Sequence, residues 1–146
     1  MKKELFLVVV TRALMGSAIS QGLSGSHADA AQAHKESPFA CNRLALSPAE
    51  RMRHDEELGP ALRRRIQTVK EMPAGYAFEF PSDKDTFQMM TEWVAGERVC
   101  CPFFDITVQV KREGGPLLLT LGGRHGTKEF IAVDGAAWVR SGVSKH

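Results

Sequence analysis

The 146-residue sequence holds one tyrosine, two tryptophans and three cysteines. Three cysteines are too few for a scaffold built on disulfides, and the odd number leaves at least one thiol without a partner in its own chain. Neither sign of charge prevails: 19 Lys and Arg face 17 Asp and Glu, a net charge of +2. That balance excludes the electrostatic footprint of a nucleic-acid binder. The densest basic run, Arg63-Arg64-Arg65, has no flanking aromatics and reads as the solvated face of a helix. No apolar run approaches the roughly 20 residues needed to span a bilayer as a mature helix. No internal repeat is visible. Gly122-Gly123-Arg124-His125-Gly126 lacks the Lys-Ser/Thr of a phosphate loop, and there is neither a His-Glu-x-x-His zinc signature nor a nucleophile elbow. No catalytic constellation is visible, which tilts the reading away from an enzyme.

What remains is the composition of one ordinary globular domain, 43% hydrophobic and 25% charged. The start resembles an export signal: basic Met1-Lys2-Lys3, apolar Leu5 to Val10, then Ala28-Asp29-Ala30 in the small-x-small pattern of a cleavage point. Residues 1–30 are therefore expected to be a signal, placing the mature protein in the periplasm or outside the cell. Arg12, a charge inside the apolar stretch, weakens that reading and keeps the cytoplasm as the alternative. Residues 31–40 read as a flexible lead in which His34 is solvated, residues 41–140 as a single domain, and residues 141–146 as a frayed tail.

Within the domain, Ser47-Pro48-Ala49-Glu50 carries the signals of a helix start. The serine and glutamate can cap each other's amides, and Pro48 sits where its missing N–H is not needed. The helix is expected to run to about Lys70, with Leu58, Leu62, Ile66 and Val69 buried and a kink or break at Gly59-Pro60. Tyr76 to Phe80 alternates as a strand does, and Ser82 or Asp83 caps a second helix from Lys84 to about Cys100. Asp105 to Lys111 and Pro116 to Leu121 form a hairpin about Glu113-Gly114-Gly115. Thr127 to Trp138 is a third helix, weakened by Asp134-Gly135. The expected fold class is α+β: order α-β-α-β-β-α, a small, mainly antiparallel three-stranded sheet with helices on one face.

The chemistry concentrates in Glu97-Arg98-Val99-Cys100-Cys101-Pro102-Phe103. On the second helix Phe87, Met90, Trp93, Val94, Glu97 and Cys101 recur at three- and four-residue spacing and trace one face. A carboxylate on that apolar stripe is unfavourable unless paired, protonated, ligating or at the boundary with water. Glu97 lies one turn from both Cys100 and Cys101, so the three side chains can converge. Pro102 pushes Cys101 out of helical angles, which sets two thiols at a helix C-terminus, where the dipole disfavours a thiolate and a bound cation reverses the penalty. Cys41 precedes the first helix and can fold back over the second; His54 lies at the edge of the first helix's buried stripe.

Three readings stay open. Sulfur ligands with a carboxylate or imidazole suit a soft ion, so Cys41, Cys100, Cys101, Glu97 and His54 form a candidate site for Cu(I), Zn(II), Hg(II) or trivalent arsenic. Alternatively, a vicinal cysteine acts as a redox nucleophile and Cys41 resolves it, although the spacing is not that of an oxidoreductase motif. Otherwise the cysteines only fill space.

Cys41, Ser47-Pro48-Ala49-Glu50-Arg51 with His54, Gly75-Tyr76-Ala77-Phe78 and Glu97-Arg98-Val99-Cys100-Cys101-Pro102-Phe103 together resemble a family of small, uncharacterised bacterial proteins. The resemblance covers roughly Cys41 to Phe130. It carries no activity over to this chain, but the residues that bear it include the five grouped above on chemical grounds.

Overall fold

A computed structural model describes residues 35–142. The export signal, the first residues of the lead and the tail beyond 142 lie outside the described residues. Among the described residues no helix is long and apolar enough to cross a membrane.

The first helical segment starts as its capping residues require. Ser47 Oγ accepts from the Glu50 amide at 3.3 Å, and the Ser47 amide donates to Glu50 Oε2 at 2.9 Å. From there α1 (Pro48–Met52) passes through a π-helical stretch, Arg53–Leu58, into α2 (Gly59–Arg65). The widened stretch answers Gly59-Pro60. Pro60 has no N–H to give, and the Gly59 N–H donates to the His54 carbonyl, five residues back. The expected break is thus a bulge that the helix runs through.

The expected three-stranded sheet is corrected to four antiparallel strands in the order β1-β2-β4-β3. The added strand is β1 (Thr68–Met72), which pairs with β2 (Gly75–Phe80) across the Pro73-Ala74 turn. The first helix therefore stops at Arg65 and not at Lys70, and Val69 belongs to the sheet. As an edge strand half open to solvent, β1 buries too little to show a clear alternation. The expected hairpin is that of β3 (Asp105–Val110) and β4 (Leu117–Gly122), with Val108 opposite Leu119, and β4 also lies against β2.

Helix α3 (Lys84–Cys100) has the expected bounds. Asp83 caps it by accepting from the Thr86 amide at 2.9 Å. Its buried stripe, however, is Thr86, Met90, Trp93, Glu97 and Cys100. Phe87 is exposed, and Cys101 is the C-cap. The expected third helix is two, α4 (Thr127–Val133) and α5 (Ala136–Ser141), separated at Asp134-Gly135. Helices cover one face of the sheet. Phe78, Phe80, Leu117 and Leu119 from the strands meet Leu58, Leu62, Met90, Trp93, Ile131 and Trp138 in one core. A smaller cluster beside it joins Leu46, Cys100, Cys101 and Phe103.

Candidate metal and thiol site

The site lies where the C-terminal turn of α3 meets the π-helical stretch and the loop before the first helix. Three ties hold these segments in place. The Asn42 amide donates to the Cys100 carbonyl at 2.6 Å, fixing the Cys41 loop to the end of α3. Arg53 grips Glu92 of α3 through two hydrogen bonds, 2.9 and 3.0 Å, fixing the π-helical stretch. Arg43 and Asp55 form an ion pair across the opening.

All five side chains selected from the sequence come together. His54, Glu97 and Cys100 are buried, and each presents a ligand atom within 4.8 Å of the others; Cys41, Glu97 and Cys101 form a second such group. Cys41 and Cys101 are joined in a disulfide, which leaves Cys100 as the free thiol. A set of three free thiolates is therefore not present in this state. Cys100 Sγ lies 3.6 Å from Cys101 Sγ and 3.8 Å from Glu97 Oε2, and contacts the Glu97 carbonyl at 3.7 Å.

The stripe spacing explains the convergence. Glu97 and Cys100 stand one turn apart on the buried face of α3, and the π bulge turns His54 toward them. The imidazole stacks on Trp93, with ring centroids 5.4 Å apart and planes inclined by 14°. Its Nδ1 meets Asp55 Oδ1 at 3.0 Å. Its Nε2 lies 3.1 Å from Glu97 Oε2, yet no acceptor lies in line with a hydrogen on that buried nitrogen. The Glu97–His54 contact is thus one of charge without an aligned hydrogen bond. A buried polar atom left in this way is the kind that a bound group satisfies.

Electrostatics divide the site. Burial pushes the Cys100 thiol up to about 12, and the negative charge of Glu97 adds to the effect. Cys100 is thus a neutral thiol and a poor nucleophile at ordinary pH. Burial pulls the His54 imidazole down, but Glu97 and Asp55 outweigh it, and its pKa ends above the ordinary value. A cation placed among these groups reverses both preferences: it fixes the thiolate and takes the place of the imidazole proton.

Sequence reasoning missed several supporting residues. Asp55 orients His54, Trp93 stacks on it, and Gly96 leaves the space that its ring occupies. An isolated glycine inside a strong helical pattern was the available signal for Gly96. The packing reading describes part of the arrangement, since Cys100 and Cys101 do sit in an apolar cluster. No family model, no curated protein and no solved structure matches this chain.

Proposed function

We propose that the protein binds a soft metal or metalloid ion, with no chemical turnover. Cys100, Cys101 and Cys41 are the sulfur ligands once the disulfide is reduced, and Glu97 or His54 completes or orients the site. The observation that carries this reading is the buried convergence of His54, Glu97 and Cys100 within 4.8 Å. The Nε2 of His54, 3.1 Å from Glu97 Oε2 without an aligned hydrogen bond, belongs to the same arrangement. Two or three sulfurs with one nitrogen and one carboxylate favour thiophilic ions, Cu(I), Zn(II), Hg(II) or trivalent arsenic, over hard cations. An exported location, if the N-terminal signal operates, would put the site where its disulfide forms readily.

A second reading is thiol–disulfide exchange, with Cys41 as the resolving cysteine. It is favoured by the Cys41–Cys101 disulfide and by the Cys100 thiol 3.6 Å from Cys101. The raised pKa of Cys100 works against it, because exchange requires a thiolate.

Native mass spectrometry of the reduced chain, titrated with Cu(I), Zn(II), Hg(II) and arsenite, tests the proposal. One retained ion per chain, lost when Cys100 and Cys101 are both changed to alanine, is the expected result. No retained ion, with a reversible Cys41–Cys101 couple in a thiol redox titration, would replace it with the exchange reading.

A further inference from the structure

A bare ion does not account for the space next to the sulfurs. A cavity of about 490 Å³ adjoins the site, with Cys41, His54 and Glu97 in its wall. A single ion takes a volume on the order of one water's share, roughly 30 Å³. The rest of the wall mixes the aromatic rings of Phe39, Trp93, Phe104, Phe130 and Trp138 with the charged Arg43, Asp55, Arg63 and Asp134. Both tryptophans of the chain are among them. A concave chamber that sets aromatic rings beside convergent polar groups is the form of a site for an organic ligand. Here those polar groups include Cys41, His54 and Glu97 of the ligand set.

We infer that the ligand is an organic derivative of a trivalent metalloid, an arylarsenical, whose ring fills the cavity while its arsenic bridges Cys41 and Cys101. This rests on the soft-ion reading above and names its ligand class. A carbon–arsenic bond uses one of the three valences, so two sulfurs complete the centre. The Cys41–Cys101 pair supplies them: the two Cα atoms are 4.5 Å apart, and Cys41 lies in the cavity wall with Cys101 bonded directly behind it. The sulfurs need only part to flank one atom.

The chemistry balances without electron transfer at arsenic. A phosphine and water first reduce the disulfide, giving two thiols and a phosphine oxide. The hydrated arsenical, Ar–As(OH)2, then exchanges both As–O bonds for As–S bonds, and the two thiol protons leave with the hydroxides as two waters. Cys100 is spare in this complex, whereas inorganic arsenite, with three valences open, needs it as the third sulfur. Stacking on aromatic side chains is what a phenyl group gains here over a methyl group.

The test uses the full chain, reduced with a phosphine, and reads the fluorescence of Trp93 and Trp138. It compares phenylarsonous acid, methylarsonous acid and arsenite, with free dithiothreitol as the reference dithiol. The protein should prefer phenyl over methyl at least tenfold more strongly than dithiothreitol does. Ala40→Phe and Asp134→Phe, at exposed positions of the cavity wall, should each abolish that extra preference and leave methylarsonous acid and arsenite binding unchanged. Cys100→Ala should weaken arsenite alone. A phenyl preference equal to that of dithiothreitol, or one that survives both plugging variants, overturns the inference while arsenite binding upholds the soft-ion reading. Failure of the reduced chain to bind any of the three removes both.

Discussion

Gly96 of α3 faces His54 so closely that a Cβ at this position would lie 2.6 Å from the imidazole Cδ2. The ring is clamped between that gap and the indole of Trp93. Alanine at a helix interior is ordinarily better than glycine by up to about 1 kcal/mol. Here Gly96→Ala is expected to be a net loss of about 1–3 kcal/mol, because the ring must leave its place. It should also weaken ion binding. Denaturant unfolding of Gly96→Ala, His54→Ala and the double variant checks this: with the ring removed, alanine at 96 should become neutral or stabilising. An equally large loss in the His54→Ala background would mean that something other than the ring occupies the space.

The Cys100 thiol predicts a loss of stability in alkali. Its pKa rises from 9.0 in the unfolded chain to about 12 in the folded one, so the folded state holds this proton more tightly. The contribution is complete below pH 9 and is lost as pH rises from 9 towards 12, at up to about 1.4 kcal/mol per pH unit. Lysines and the tyrosine titrate in the same window, so the difference between the parent chain and Cys100→Ala isolates the effect. Urea unfolding across that range should show the parent falling more steeply. Parallel curves would show that the thiol is not shielded as its burial implies.

His54 titrates in the same direction but at lower pH, and there the favoured form is the cation. Its pKa lies above the ordinary 6.5, with Glu97 and Asp55 outweighing burial. The protonated imidazole stabilises the fold fully below 6.5, and that contribution is lost as pH climbs through the folded-state value. The stability advantage of the parent over His54→Gln should therefore shrink as pH rises above 6.5. Ion affinity should rise over the same span, since a ligating imidazole must first lose its proton. Affinity that is flat with pH, in a chain whose stability still titrates, would remove His54 from the ligand set.

How far all this was legible in the sequence depended on range. The bounds of α3 and the β3–β4 hairpin follow from local signals, the Asp83 cap and the Glu113-Gly114 turn, and both stand in the fold. Strand β1 was hidden because Val69 continues the apolar spacing of the preceding helix, while the pairing that makes it a strand comes from β2. The residue types of the candidate site were readable, and Glu97 stood out as an acid on an apolar stripe. The stripe itself was placed with Phe87 and Cys101 inside it, where the helix in fact buries Thr86 and Cys100. Cys41 could have paired with either vicinal cysteine. The choice of Cys101 belongs to the tertiary path: Pro102 takes this residue off the helix, and the Asn42–Cys100 hydrogen bond brings the loop against it.

The disulfide ties the stability of the fold to its redox state. Cys41 and Cys101 are 60 residues apart, and closing a loop of that length stabilises a fold by about 4 kcal/mol in the chain-entropy account. Reduction should lower the unfolding free energy by up to that amount. A ligand that binds only the folded, reduced chain returns part of it, about 2.7 kcal/mol at a hundredfold excess over Kd. Thermal unfolding should thus show reduction lowering Tm and arsenite raising it again in the reduced chain. The oxidised chain, with Cys100 as its free thiol, should be almost indifferent to arsenite. Equal stabilisation of both forms would mean that Cys41 and Cys101 contribute nothing to binding and that the ion is held by His54, Glu97 and Cys100 alone.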